Sequence, residues 1–131
     1  MKRILLVNDS QDLLELMGTL LHAQGYEPIL RSYPILNLSM IEALEPDLII
    51  LDILFGNQQP IGWHMLDLLK LSPSTAAIPV IVCTAALKEV FEQQEYLASQ
   101  GVTVLLKPFL VDAMVDAIKR ALPPAEDERS T

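Results

Sequence analysis

Short apolar runs alternate along the chain with longer windows in which apolar residues recur every three or four positions. The first run, Arg3 to Val7, is followed by the window Ser10 to Gln24, in which Leu13, Met17 and Leu20 recur at helical spacing. A short apolar run is typical of a β-strand, and the helical spacing is typical of an amphipathic helix. The chain is therefore predicted to begin with a strand and then a helix.

The same alternation continues to the end of the chain. Further strands are predicted near Pro28 to Arg31 and at Leu48 to Leu51, Val80 to Cys83 and Val102 to Leu106. Further helices are predicted near Ile35 to Leu44, Trp63 to Leu71, Lys88 to Ser99 and Leu110 to Leu122. The last three strands are almost continuously apolar, which is expected of central parallel strands that are covered on both faces. The segment Phe55 to Ile61 is predicted to be a polar loop.

The order of these elements indicates the class of fold. Five strands that are each followed by a helix predict an α/β fold, with a doubly wound parallel sheet, right-handed crossovers and helices on both faces. A chain of 131 residues that is 51% hydrophobic can bury one core of ordinary size. We therefore expect one domain at residues 1–122, followed by a polar C-terminal tail at residues 123–131.

Charge and composition exclude several classes of partner. The formal net charge is −8 and the nine basic residues are scattered, so we expect no direct binding of nucleic acid. Every apolar run is far shorter than the roughly 20 residues of a membrane-spanning helix, so we expect no membrane partner. The single cysteine, Cys83, lies within an apolar run and is predicted to be a buried thiol. These features together predict a cytoplasmic protein.

Polar side chains stand where the predicted strands end. Asn8 and Asp9 follow the first strand, Asp52 the third, Thr84 the fourth and Lys107 the fifth. In an open α/β sheet, ligands bind beyond the carboxyl ends of the strands. Two carboxylates at this edge would form an oxygen site for Mg²⁺, and an ammonium and a hydroxyl would suit phosphate oxygens.

Each of these residues also has an ordinary structural role open to it. Asp9 or Ser10 could cap the first helix, and Thr84 could cap a later one. Asp52 could form a turn at the end of its strand, and Lys107 could be a solvated charge before a proline. Their combination at one edge of the sheet favours a functional site.

Four segments of the chain resemble the receiver domain of two-component response regulators. They are Ile4 to Asp9, Pro46 to Asp52, Thr84-Ala85 and Lys107-Pro108-Phe109. The resemblance extends from about Lys2 to Leu122 and implies a flavodoxin-like fold with the strand order 2-1-3-4-5. It also implies a signalling domain, not an enzyme in its own right, that receives a phosphoryl group from a sensor histidine kinase or a phosphotransfer protein. Such a domain changes its contacts with a downstream protein, which the sequence does not name.

The resemblance implies a role for each residue of the phosphoryl site. Asp52 would be the nucleophile that becomes phosphorylated, and Lys107 would pair with the phosphoryl group. Thr84 would move to donate a hydrogen bond to the phosphoaspartate. The peptide bond between Lys107 and Pro108 would be cis, which is uncommon even before proline.

The resemblance also implies Mg²⁺ as the cofactor. Asp9 and Asp52 would coordinate the ion, Leu54 would supply a backbone carbonyl, and Asn8 would lie in the same metal site. The family usually has an acidic residue in place of Asn8, so we expect Mg²⁺ to bind more weakly here. Val104 stands where the family commonly has an aromatic residue that responds to the threonine.

The segment from Asp52 to Gly62 is also longer than is usual in the family, which predicts an altered loop beside the site. These departures leave open a pseudo-receiver that acts as a phosphorylation-independent interaction module. An aspartyl-phosphate phosphohydrolase would need a second acid where Leu54 stands, and a flavin-binding redox protein would be coloured. His22 and His64 have no partner at metal-ligand spacing and are predicted to be surface residues.

Overall fold

The structure is a computed structural model in which residues 1–122 are described. Its strands are β1 (Arg3–Val7), β2 (Glu27–Arg31), β3 (Leu48–Leu51), β4 (Val80–Thr84) and β5 (Thr103–Leu106). They form one parallel sheet with the order β2-β1-β3-β4-β5. The predicted fold class and strand order are therefore confirmed, whereas the predicted tail at residues 123–131 lies outside the described residues.

Helices cover both faces of the sheet, as the pattern predicts. They are α1 (Gln11–Ala23), α2 (Leu38–Leu44), α3 (Gly62–Leu71), α4 (Pro73–Ala76), α5 (Leu87–Glu92), α6 (Gln94–Ser99) and α7 (Val111–Ala121). Buried residues of α1 and α7 pack on one face, and buried or half-buried residues of α2, α3, α5 and α6 pack on the other. None of the helices within residues 1–122 is long and apolar enough to cross a membrane.

The alternation of side chains along each strand divides the apolar residues between two cores. In β1, Leu5 and Val7 face the core under α3, whereas Ile4 and Leu6 face the core under α1. Because a central parallel strand is covered on both faces, all of its positions are buried and its sequence is continuously apolar. The uniform burial of β3 and β4 confirms this prediction for those strands.

Residues of β5 pack against both cores, but β5 is not the central strand that its continuous apolarity predicted. This strand lies at the edge of the sheet and its residues are only half-buried, with Leu106 exposed. An edge strand has a neighbour on one side only, so its apolar side chains are covered less completely than those of β3 and β4. Apolarity alone did not distinguish the edge strand from a central one.

Two helical segments differ from the prediction. The single helix predicted at Lys88 to Ser99 is two short helices that meet at Gln93, where ψ is 10° and the α-helical path is interrupted. A short helix absent from the prediction begins at Pro73, directly after α3. Proline is well suited to the first turn of a helix because its missing N–H would have no partner there.

The segment predicted as a polar loop has a defined structure of its own. Phe55 and Gln59 form an antiparallel bridge, and the residues between them make the turn. Phe55 is 1% exposed and belongs to the core, so the segment is only partly the polar loop that was expected.

Candidate functional site

Asp52 lies at the carboxyl end of β3, in the middle of the sheet. Its backbone N–H donates to the carbonyl of Val7 at 3.0 Å, which continues the pairing of β3 with β1. The residue is 6% exposed, although it is charged and follows four apolar residues. A buried carboxylate requires hydrogen-bond donors or a cation nearby, because loss of water otherwise disfavours the charge.

Four donors surround the Asp52 carboxylate. Oδ2 accepts from Lys107 Nζ at 2.8 Å and from Asn8 Nδ2 at 3.2 Å. Oδ1 accepts from the backbone N–H groups of Ile53 at 2.6 Å and Leu54 at 3.3 Å. Asp52 therefore forms the strand-end turn that was considered for it and also lies at the centre of a polar cluster. These contacts give both buried carboxylate oxygens hydrogen-bond partners.

Lys107 is brought to Asp52 by the end of β5. Its backbone N–H donates to the carbonyl of Thr84 at 2.9 Å, and its peptide bond to Pro108 is cis, as the resemblance implies. The side chain of Lys107 is 27% exposed and forms an ion pair with Asp52. The alternative of a solvated charge is therefore wrong for Lys107.

Asn8 is buried between the start of α1 and Asp52. Its Oδ1 accepts from the backbone N–H of Ser10 at 2.8 Å, so its Nδ2 is directed at Asp52. Ser10 is the N-cap of α1, because its hydroxyl accepts from the N–H of Leu13. Of the two candidates for the cap, Ser10 takes the role and Asp9 remains available for another.

The side chain of Asp9 is exposed and contacts the loop that follows Asp52. Its Oδ2 accepts from the backbone N–H of Gly56 at 2.9 Å. Thr84 is fully buried, and its hydroxyl accepts from the N–H of Ala86 at 3.1 Å in a turn that precedes α5. The N-cap of α5 is Ala86, so Thr84 does not cap that helix. Within residues 1–122, the Thr84 hydroxyl has no hydrogen bond to Asp52.

The oxygen atoms at this edge suit a hard divalent cation. They belong to the carboxylates of Asp9 and Asp52 and to the carbonyl of Leu54, which accepts no hydrogen bond from the residues that the structure describes. No group of three or more His, Cys, Asp or Glu side chains forms a metal site within residues 1–122. Mg²⁺ is commonly held by one or two carboxylates and several waters, so the donor set fits this ion. The side chain of Asn8 donates an N–H group to Asp52, and its oxygen accepts from the backbone N–H of Ser10.

Gly62 is a site residue that sequence reasoning missed. It is the first residue of α3, and its N–H donates to the carbonyl of Ile53 at 2.9 Å. A Cβ atom at this position would lie 2.2 Å from the carbonyl oxygen of Asp52 and 2.6 Å from the Cα of Ile53. Only glycine lets α3 approach the backbone of the acceptor residue so closely. The sequence signal for this role was a glycine at the start of the helix that follows β3 and Asp52.

The remaining candidates lie outside the site. His22 and His64 are exposed, as predicted. Cys83 is 4% exposed and packs in the core under α1 and α7, where burial raises the pKa of its thiol to about 12. Trp63 and Val104 are half-buried and pack against the other core. The burial of Cys83 confirms the prediction that it is a structural thiol.

Comparison with known proteins gives one consistent family. The family model described as the response regulator receiver domain matches residues 4–119. The chain is 25% identical over 127 residues to the DNA-binding response regulator MtrA of Mycolicibacterium smegmatis. The matched region covers 97% of this chain and 53% of that protein. The chain is 24% identical over 127 residues to MtrA of Mycobacterium tuberculosis H37Rv, with the same coverage. The chain thus spans about half the length of these curated relatives.

Solved structures with the same fold include receiver domains of different proteins. The N-terminal domain of a response regulator receiver protein from Methanoculleus marisnigri is 31% identical, with a TM-score of 0.65 and coverage of 95% of this chain and 98% of that one. The signal receiver domain of a histidine kinase from Syntrophus aciditrophicus is 27% identical, with a TM-score of 0.75 and coverage of 93% and 90%. A receiver domain from Colwellia psychrerythraea, at 20% identity, a TM-score of 0.77 and coverage of 95% and 100%, supports the fold alone.

Proposed function

The chain belongs to the response regulator receiver domain family of two-component signalling, and on that premise we propose that it accepts a phosphoryl group on Asp52. The observation that carries the proposal is the arrangement around this carboxylate. Asp52 is buried at the end of the central strand and Lys107 Nζ lies 2.8 Å from its Oδ2. An ionised carboxylate with a cation beside it is a suitable nucleophile for phosphoryl transfer.

In the proposed reaction, a carboxylate oxygen of Asp52 attacks phosphorus. The bond between phosphorus and a histidine nitrogen of the donor breaks, and an acyl phosphate forms on Asp52. The donor is the phosphohistidine of a sensor histidine kinase or a phosphotransfer protein, or a small phosphodonor in vitro. Phosphoryl transfer depends mainly on positioning and on neutralising charge, so the fixed contacts of Asp52 serve the reaction directly.

Lys107 and Thr84 have distinct roles in this proposal. Lys107 is already paired with Asp52 and would remain close to a phosphoryl oxygen after transfer. Thr84 holds the N–H of Ala86 through its hydroxyl oxygen, so the hydroxyl hydrogen is free to reach the phosphoryl group if the turn shifts. Lys107 therefore acts before and after transfer, whereas Thr84 acts on the phosphorylated form.

The residues that would hold Mg²⁺ are Asp9, Asp52 and the carbonyl of Leu54. When held there, the ion would neutralise part of the negative charge that accumulates between a carboxylate and a phosphoryl group. Asn8 contributes a hydrogen bond to Asp52 but no charge. We therefore propose that Asn8 lies beside the metal site and contacts the ligand Asp52.

We also propose that residues 1–122 act as the receiver domain, with the tail at residues 123–131 outside it, and that the switch operates in the cytoplasm. Its partners are a kinase or phosphotransfer protein and a downstream protein. The MtrA proteins are named DNA-binding regulators and are about twice as long as this chain. The acidic charge of −8 supports an effect on protein contacts in place of direct contact with nucleic acid.

The test of the acceptor is Asp52→Asn, which replaces the nucleophile and preserves the shape of the side chain. We expect acetyl phosphate in Mg²⁺ to label the parent protein, as read by intact mass, and to leave Asp52→Asn unlabelled. Asp116→Asn is the matched control: Asp116 is exposed on α7, so this variant should be labelled on Asp52 as the parent is. Equal labelling of Asp52→Asn and the parent would assign the phosphoryl group to another residue.

A further inference from the structure

The segment after Asp52 forms a small hairpin, here defined as residues 55–59. The backbone N–H of Phe55 donates to the carbonyl of Gln59 at 2.8 Å, and the N–H of Gln59 donates to the carbonyl of Phe55 at 2.9 Å. Gly56 and Gln58 have positive φ angles of 58° and 63°, which make the tight turn possible. The hairpin is thus a closed backbone structure, with its own hydrogen bonds.

The hairpin is fixed at its base by Phe55 and contacts Asp9 through the next residue, Gly56. Phe55 is 1% exposed, and its ring packs edge-on against Tyr33 with 5.9 Å between the ring centroids. The N–H of Gly56 donates to Asp9 Oδ2 at 2.9 Å. A hydrogen bond from a backbone N–H to a carboxylate is among the stronger hydrogen bonds in proteins. The hairpin therefore connects the hydrophobic core to the side chain of Asp9.

Asp9 depends on this contact more than the other site residues do. It is exposed, and in the part of the chain that the structure describes Gly56 is its one hydrogen-bond partner through the side chain. An exposed side chain without a fixed partner samples several rotamers, and fixing it costs entropy. Since Asn8 brings no charge, Asp9 is the carboxylate that the end of β1 supplies.

We propose that the hairpin at residues 55–59 is a positioning element for the cation site, in which the Gly56 N–H holds the Asp9 carboxylate in place for Mg²⁺. This inference rests on the proposed function, because it assigns Asp9 as a ligand. A carboxylate that is already oriented binds a cation more tightly, since less entropy is lost on binding. The hairpin contains no charged residue, so it orients Asp9 without providing a competing cation.

The test compares two glycines that have the same backbone requirement. Gly56 and Gly101 have φ angles of 58° and 67°, and a Cβ atom at either would have no neighbour within 4 Å. Gly56→Ala and Gly101→Ala therefore introduce the same kind of backbone strain without a steric clash. Gly101 precedes β5 and is remote from Asp9 along the chain, so it serves as the matched control.

The dissociation constant of Mg²⁺ is measured by titration of the emission of the sole tryptophan and by the dependence of thermal unfolding on Mg²⁺. We expect Gly56→Ala to raise this constant by about three- to tenfold, because weakening a charge-assisted hydrogen bond releases Asp9. Gly101→Ala should bind Mg²⁺ like the parent. A dissociation constant for Gly56→Ala that equals or falls below that of Gly101→Ala would overturn the inference.

A second measurement needs no metal. The Gly56 amide should exchange with solvent more slowly than an exposed turn amide, and Asp9→Ala should remove this protection. Unchanged exchange at Gly56 in Asp9→Ala would mean that the two residues do not hold each other in solution. If the parent is labelled on Asp52 and binds Mg²⁺ but these variants have no effect, the inference alone is wrong. If the parent is neither labelled nor binds Mg²⁺, the proposed function is wrong as well.

Discussion

Asn8 shows how one side chain sets the charge of the site. Its side-chain oxygen accepts from the backbone N–H of Ser10 at the start of α1, and its side-chain N–H donates to Asp52. A carboxylate here would keep the bond to Ser10 but could not donate to Asp52. In the absence of a metal ion, Asn8 therefore gives Asp52 a hydrogen-bond donor, which a second carboxylate could not provide.

We expect Asn8→Asp to make the protein less stable without Mg²⁺ and to bind Mg²⁺ more tightly than the parent. The substitution puts a second carboxylate where the amide now lies 3.2 Å from Asp52 Oδ2, and the repulsion is relieved by a cation. The free energy of unfolding, measured in urea with and without Mg²⁺, should fall by about 1–3 kcal/mol in the metal-free variant. Equal Mg²⁺ affinity of parent and variant would mean that a charge at position 8 does not interact with the metal ion.

The sequence predicted the residues of the site more completely than their contacts. The strand ends identified Asn8, Asp52 and Lys107, and the structure brings these side chains together. The bond from Gly56 to Asp9 was not predictable, because it joins a backbone N–H of one loop to a side chain of another and neither loop has a periodic pattern. An Asp side chain has predictable backbone partners only among its neighbours in the chain, and Gly56 is 47 positions from Asp9.

At the scale of elements, the start of α3 fixes the backbone that carries Asp52. Gly62 is the position of closest approach, since a Cβ atom would be within 2.2 Å of the Asp52 carbonyl oxygen. Gly18 is also in a helix, but a Cβ atom there would meet the flexible end of Leu30 at 3.1 Å. A methyl group at Gly62 would therefore meet rigid backbone, whereas one at Gly18 would meet a side chain that can move.

We expect Gly62→Ala to lower the free energy of unfolding by about 3 kcal/mol or more, because the strand and helix must separate to admit the methyl group. Gly18→Ala should stay within about 1 kcal/mol of the parent, since the gain in helix propensity offsets a small shift of Leu30. Urea denaturation of both variants provides the measurement. A tolerated Gly62→Ala would mean that α3 can move away from Asp52 at little cost.

Elements with a periodic or continuously apolar pattern were predicted well, whereas a helix break and a single-turn helix were not. Helix α7 follows from its apolar spacing, and the central strand β3 follows from its unbroken apolar run. The break at Gln93 has no glycine or proline to signal it, and α4 is a single turn that is too short to show a period. Such features are decided by packing against neighbouring elements, which a local pattern does not contain.

At the scale of the whole molecule, the site joins strands that are distant in sequence. Asn8, Asp52 and Lys107 come from the ends of β1, β3 and β5, so their contacts depend on the complete sheet. A ligand that occupies the site should therefore stabilise the entire fold and not one loop. The unfolded chain has no corresponding site, because the three residues are separated by more than forty positions each.

We expect beryllofluoride with Mg²⁺, which mimics a phosphoryl group on Asp52, to raise the melting temperature and to change the emission of Trp63. A ligand bound only by the folded state adds about 2.7 kcal/mol to the free energy of unfolding at a hundredfold excess over its dissociation constant. Trp63 is half-buried at the start of α3 and packs against the core to which Leu54 also contributes, so its surroundings should respond to a ligand held beside Leu54. Differential scanning fluorimetry and steady-state emission measure the two effects.

Two variants locate the ligand in this experiment. Asp52→Asn removes the group to which beryllofluoride attaches, and Lys107→Ala removes the cation 2.8 Å from it, so both should lose the shift in melting temperature. Each variant is compared with its own melting temperature without ligand, because loss of the ion pair also changes the stability of the free protein. An unchanged melting temperature and unchanged Trp63 emission in the parent would identify a pseudo-receiver. A shift that persists in both variants would place the ligand away from Asp52 and Lys107.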